Sequence, residues 1–284
     1  MRSFSLELGP PRTPEAAAKL PAVIARLAEL KPEFFSVTYG AGGSTQEGTY
    51  DTIMSVVRNT GIEAAPHLTC VGSTRAHIGA LLQRYRDAGV RRIVALRGDL
   101  PATALSAAAP GEFHYANELV SFIREQHGDW FRIEVAAYPE MHPQATSPAA
   151  DFDNFRRKVE AGADSAITQL FYNADAYCDF LDRCEKAGIK IPIIPGIMPI
   201  TSYANIVRFC SGCGAELPRW IRLRLEQLQD DKPALHDFGL GVVTRLCESL
   251  LRNGAPGLHF YTINQAEPTV RLWESLSLTP TAAR

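Results

Sequence analysis

Lysine is scarce in this 284-residue chain. It occurs only at Lys19, Lys31, Lys158, Lys186, Lys190 and Lys232, and none of these closes an apolar strand-like run at its C-terminal end. A Schiff-base aldolase or a pyridoxal-dependent barrel needs a lysine there, so both are disfavoured. No apolar run reaches the roughly 20 residues that span a bilayer, and Met1–Phe4 leads straight into a strand without a signal-type apolar region. Charge of one sign is also missing: the net charge of −2 gives no electrostatic reason to expect nucleic acid or a membrane surface as partner. The 6 cysteines are dispersed rather than packed into a disulfide framework. A cytoplasmic protein with free thiols is expected. A Gly-x-Ser-x-Gly elbow is absent. No closely spaced His/Glu motif occurs either, so no metal is expected.

What the chain does have is a steady alternation of strand-like and helix-like segments. Strand-like runs at 3–8, 34–39, 62–68, 92–96, 133–137, 166–168, 191–194 and 258–262 are separated by amphipathic stretches with capping residues such as Thr13 and Thr74. Helices are expected near 44–59, 112–126, 150–161, 174–187, 203–210 and 234–252, with Pro21 kinking or delaying the first one. A helical insertion is expected at 217–233. About eight such units predict an α/β fold, a (β/α)8 TIM barrel, over an open doubly wound sheet. A single domain over 1–278 follows, with a frayed tail at 279–284 and a mobile loop at 101–112.

Unusual polar residues cluster where the strand-like runs end: Glu7, Thr38 and Tyr39, His67, Arg97 to Asp99, Tyr138 with His142, Gln169, and Asn264 with Gln265. In a parallel barrel these ends share one face, where ligands bind. Glu7 in an apolar strand suits a general acid, or a structural ion pair with an arginine. Arg97-Gly98-Asp99 would let a flat ligand approach the backbone, or would form a loop ion pair. Gly40-Ala41-Gly42-Gly43-Ser44-Thr45 could cradle a phosphate or merely open a helix. It lacks the third glycine of a dinucleotide fingerprint and the lysine of a P-loop. Asp151, Asn154, Arg157 and Lys158 have helical spacing, which fits a phosphate- or ribose-binding stripe or a solvated face. The lone Cys210-Ser211-Gly212-Cys213 pair is weak for zinc or redox chemistry.

Several stretches, in order along the chain, resemble the methylenetetrahydrofolate reductase family: Phe35–Ala41, Glu63–Cys70, Ile93–Pro101, Val135–Glu140, Ala166–Gln169, Ile194–Pro199 and His259–Asn264, with Glu7 extending the match to the first strand. The resemblance implies a barrel that holds FAD at its C-terminal face. It implies reduction of the flavin by NADH or NADPH and ping-pong hydride transfer to 5,10-methylenetetrahydrofolate, giving 5-methyltetrahydrofolate. It casts Glu7 as general acid and Asp99 as the carboxylate near flavin and pterin. Gln169 would be the amide serving folate and nicotinamide in turn, and Phe209 the aromatic stacking on either. Thr38 would contact nicotinamide. Tyr39, Ala41, His67, Arg97, Gly98, Tyr115, Ala116, Tyr138, His142, Asp151, Asn154, Arg157 and Lys158 would contact the flavin cofactor.

Asn205 stands where some members carry a folate-contacting glutamine, and Gln265 where some carry an arginine. Around Glu7 the sequence continues Leu8-Gly9, where many members have aromatics. A homo-oligomer, tetramer or dimer, is implied by the resemblance. The rival expectations are a flavin-free pterin-binding barrel transferase and a non-catalytic FAD-binding subunit.

Overall fold

The structure, a computed structural model, describes residues 2–39, 45–98 and 111–278. Every strand pairs with its neighbours in parallel, in the order β7-β6-β5-β4-β3-β2-β1-β9-β8. The strands are β1 (Ser3–Leu8), β2 (Phe34–Val37), β3 (Glu63–Thr69), β4 (Arg92–Leu96), β5 (Arg132–Ala137), β6 (Ser165–Thr168), β7 (Ile193–Ile194), β8 (Gly196–Ile197) and β9 (Gly257–Tyr261). Among the described residues, nine strand segments make eight staves. Pro195 breaks one stave in two, so that β7 pairs with β6 and β8 pairs with β9. The sheet thus closes as the expected (β/α)8 barrel.

Around it lie α1 (Pro14–Ala28), α2 (Thr45–Thr60), α3 (Arg75–Asp87), α4 (Ala116–His127), α5 (Pro148–Glu160), α6 (Ala174–Lys186), α7 (Tyr203–Cys213), α8 (Arg219–Gln227), α9 (Lys232–Arg252) and α10 (Ala266–Ser275). Thr13 and Thr74 cap α1 and α3 through their side chains, as their sequence context predicts. The delayed start expected from Pro21 is corrected. The residue lies inside one continuous α1, with Leu20, Ile24 and Leu27 buried along its inner face. The helix expected from residue 112 instead begins at Ala116, because Glu112 accepts the Arg75 amide (2.7 Å) and anchors the approach to α3. The inserted helix appears as α8. The last helix, α10, was not anticipated, although Val270, Leu272 and Trp273 give it a buried face. The loop expected at 101–112 falls largely outside the described residues, as does the tail at 279–284.

Strand alternation separates two cores. Phe4, Leu6 and Leu8 of β1 point outward into the main sheet–helix core. Phe34, Ala65, Val94 and Ile167 form a small second cluster inside the barrel. Below it, at the N-terminal end, sits a buried charge cluster. Arg92 donates to Glu134 (2.6 Å), Glu33 (2.7 Å) and Glu63 (3.1 Å) and lies 4.1 Å from the Phe34 ring centre. Glu134 is fully buried and also accepts from Ser165.

This plug closes the end of the barrel opposite the predicted site. Removing the buried Arg92 guanidinium would strand the Glu134 carboxylate. Arg92→Met should therefore cost about 3–5 kcal/mol in denaturant unfolding, and a loss of under about 1 kcal/mol would contradict this account.

Candidate active site

At the opposite end, inward-facing residues from successive strands converge. The parallel register places Glu7 opposite both Ser36 and Tyr261, and Ser5 opposite His259. Among the described residues Glu7 has no arginine partner, so the ion-pair alternative is not what they show. Its Oε2 lies 3.4 Å from His67 Nε2 and 3.7 Å from His259 Nε2. Its side chain keeps 18% of its surface exposed, while His259 is fully buried. Ser5 Oγ is 2.7 Å from His259 Nδ1, and Ser36 Oγ is 3.4 Å from His259 Nε2. The small residues Ser5, Ser36 and Ala65 leave the interior volume that the second imidazole fills.

Burial pushes the His67 pKa below that of an ordinary imidazole. The Glu7 carboxylate opposes this shift and His259 adds to it. His67 is therefore neutral near pH 7, and its contact with Glu7 is not an ion pair of full charges. Its Nε2 is buried without a hydrogen-bond partner among the described residues. Although Glu7 sits between two imidazoles, no group of three or more His, Cys, Asp or Glu among the described residues could hold a metal ion.

Tyr261 closes the same ring of residues. Its hydroxyl donates to the Thr168 carbonyl (2.6 Å), and burial together with nearby Glu7 holds its pKa well above that of a free phenol. Thr262 Oγ1 donates to the Glu7 carbonyl (2.5 Å), fixing the strand end that carries the acid. Gln169 follows β6. Its Oε1 accepts the Leu170 amide (2.9 Å), which leaves the NH2 group as the donor end. Thr38 closes β2, its amide donating to Leu8 O (2.9 Å). Tyr39 is half-buried, and desolvation raises its hydroxyl pKa.

A second group forms around the end of β5. The Tyr138 and His142 rings meet edge-to-face at 4.6 Å, and the His142 amide donates to Asp151 (3.0 Å). Lys158 has a part-exposed stem, but its ammonium is enclosed and donates to the Ala136 carbonyl (2.5 Å). Burial lowers its pKa to about 8, against the pull of Asp151. Asn154 and Arg157, in contrast, sit on the exposed side of α5, so the predicted stripe is split between the interior and the surface. Arg97 donates to Gly98 O (3.1 Å) and to Gln144 (2.5 Å), and Gly98 takes φ +87°. Tyr115 is exposed at the N-cap of α4, just before Ala116.

Asp99 and Ala41 lie outside the described residues, as does most of the glycine run at 40–44. On α7, Phe209 is half-buried and Asn205 exposed. Gln265 lines a separate cavity of about 280 Å³ between α9, α10 and Pro199–Thr201, rather than the recess shared by Tyr138 and Gln169. His259, Ser5 and Ser36 were not singled out from the sequence. The inward alternation of β9, with His259 and Tyr261 two residues apart, was the signal available.

This is a (β/α)8 barrel enzyme, with Glu7, His67 and Tyr261 gathered at the C-terminal mouth. The family described as Methylenetetrahydrofolate reductase matches residues 1–277, and the chain belongs to it. The 5,10-methylenetetrahydrofolate reductase of Salmonella typhimurium is 41% identical over 281 residues, covering 98% of this chain and 92% of that one. That of Pectobacterium carotovorum is 40% identical over 282 residues, covering 99% and 92%. The Arabidopsis thaliana protein named methylenetetrahydrofolate reductase (NADH) 1 is 34% identical, covering 97% of this chain but 48% of its own length. Among solved structures, a Clostridium thermocellum protein described as binding two copies of 5-methyl-5,6,7,8-tetrahydrofolic acid superposes with TM-score 0.67 over 97% of this chain and 94% of that one. Its identity is 16%, so it speaks for the fold alone. The protein is an oxidoreductase of one-carbon folate metabolism, reducing methylenetetrahydrofolate to methyltetrahydrofolate.

The state of Lys158 is testable without substrate. Between about pH 8 and the ordinary lysine value of 10.5, the unfolded chain holds this proton and the folded chain does not. The lysine therefore weighs most against folding below about pH 8 and progressively less as pH rises. In protein stripped of small molecules, Lys158→Met should melt at or above the wild-type temperature near pH 7, with that advantage shrinking by about pH 10. An advantage independent of pH would refute the enclosed, unneutralised ammonium.

Proposed function

We propose that the mouth of this barrel binds FAD, takes a hydride from NADH or NADPH, and delivers it to 5,10-methylenetetrahydrofolate in a ping-pong cycle. The observation that carries this reading is Glu7, held at a strand end between two imidazoles in a partly open mouth. The residues present fit the cofactor's chemistry. The enclosed Lys158 ammonium, with a backbone carbonyl as its donor contact, suits an anionic diphosphate. Gly98 in the left-handed region lets backbone approach a flat heteroaromatic ring. Bound FAD would supply the two-electron relay between nicotinamide and folate.

The protein's own groups divide the remaining work. Glu7 would protonate the folate imidazolidine nitrogen, opening the ring to the iminium that accepts hydride. The neutral imidazole of His67 would hold its carboxyl from one side without fixing a full opposing charge on it, with the His259 ring on the other side. The Gln169 NH2 would bind the pterin and the nicotinamide amide in turn, with Phe209 stacking on either. Thr38 would contact nicotinamide, Asp99 would serve flavin and pterin, and Asn205 and Gln265 would contact folate. Tyr39, Ala41, Arg97, Tyr115, Ala116, Tyr138, His142, Asp151, Asn154 and Arg157 would complete the cofactor's surroundings. A cytoplasmic homo-oligomer belongs to the same proposal.

The test is anaerobic stopped-flow on the purified protein. A flavin spectrum should bleach with NADH or NADPH and return with methylenetetrahydrofolate. In Glu7→Gln the return should slow by at least about a hundredfold, with bleaching largely kept. Equal loss of both half-reactions would remove Glu7 from its assigned step.

A further inference from the structure

The segment that carries Tyr138 and His142 contains a carboxylate that the proposed chemistry does not use. Glu140 Oε2 accepts the backbone amide of Glu216 at 2.8 Å, 76 residues away and just past the end of α7. A second contact meets it at the same junction. Gly214 ends α7 at φ +75°, its amide donating to Cys210 O. A Cβ at Gly214 would lie 3.3–3.4 Å from Pro143 side-chain atoms and 3.5 Å from Met141 O, so the segment after β5 rests directly on the helix end.

The same junction reaches the reacting groups. Tyr138, Glu140, Gln169, Leu170, Cys213 and Ala215 share one recess. Cys213, on the last turn of α7, lines this recess, and Phe209 stands one turn before it on the same helix. The other end of α7 is held by its connection to β8 and by Ser202, which caps the Asn205 amide (3.4 Å). The helix that bears Phe209 is therefore tethered at one end by the chain and at the other by Glu140.

We infer that Glu140 is a positioning residue: by accepting the Glu216 amide it clamps the C-terminal end of α7 to the segment after β5, and so sets where Phe209 stands over the bound substrate. The clause about Phe209 rests on the proposed function; the clamp itself does not. Glutamine at this position keeps an oxygen that can accept the amide, whereas alanine does not.

Two measurements separate the parts. Hydrogen exchange at residues 213–216 should quicken in Glu140→Ala and stay near wild type in Glu140→Gln, whatever the enzyme's cofactor. In steady state, Glu140→Ala should raise KM for methylenetetrahydrofolate about tenfold with kcat changed less than about twofold, and Glu140→Gln should restore KM. Gly214→Ala, strained at φ +75° and pressed against Pro143, disturbs the same helix end, should shift KM in the same direction and serves if Glu140→Ala does not fold. Unchanged exchange in Glu140→Ala would overturn the clamp. Faster exchange with an unchanged KM would overturn its role in substrate placement. A wild-type protein without flavin turnover would refute the proposed function while leaving the exchange result to decide the clamp.

Discussion

The site depends on the pairing of β1 with β9. That pairing closes the barrel between the first and last strands of the chain, and its register brings Glu7 level with Tyr261 and Ser5 level with His259. It tolerates no side chain at its start, because a Cβ on Gly257 would fall 1.6 Å from Ser3 O. Because side-chain direction alternates along a strand, a slip of one residue would turn Glu7 into the outer core and Leu6 into the mouth. Thr262, which donates to the Glu7 carbonyl, and Asn264, which exchanges two hydrogen bonds with Gly9 (2.8 and 2.9 Å), secure the same junction beyond the strand ends.

The barrel interior is graded from end to end. The N-terminal end holds charge with charge, Arg92 among three glutamates, in a closed arrangement. The middle is apolar, with Phe34, Ala65, Val94 and Ile167. The mouth holds Glu7 between two imidazoles, of which His67 is kept neutral by burial, together with a lysine whose ammonium is enclosed without full neutralisation. Satisfied charges at one end give rigidity. Incompletely partnered groups at the other end are what a ligand can complete.

Much of this was legible in the sequence. Alternating strand and helix patterns, with Thr13 and Thr74 as caps, predicted the barrel, and the polar residues at strand ends gave the face on which Glu7, His67 and Tyr261 meet. The boundaries that shifted did so for local tertiary reasons. Glu112 was drawn to the Arg75 amide rather than into α4, and Pro21 was absorbed into α1. The stave read as ending at Ile194 resumes beyond Pro195, where Gly196–Ile197 pairs with β9. The helical stripe on α5 was read as one surface, yet Lys158 turns inward while Asn154 and Arg157 stay exposed. Spacing gives the face of a helix but not how deep its edge sinks against the sheet.

The sequence by itself determined the strand–helix alternation, the placement of Glu7, His67 and Gln169 at strand ends, and the family to which they point. All of these are local patterns of residue type, read within a few positions. Only the tertiary structure decided that Glu7 faces His259 as well as His67, with no arginine among the described residues against it, and that Glu140 reaches across to the end of α7. Those partners are as many as 252 positions apart in the chain (His259 and Glu7). They meet only because barrel closure fixes the register of strands that sequence order keeps apart.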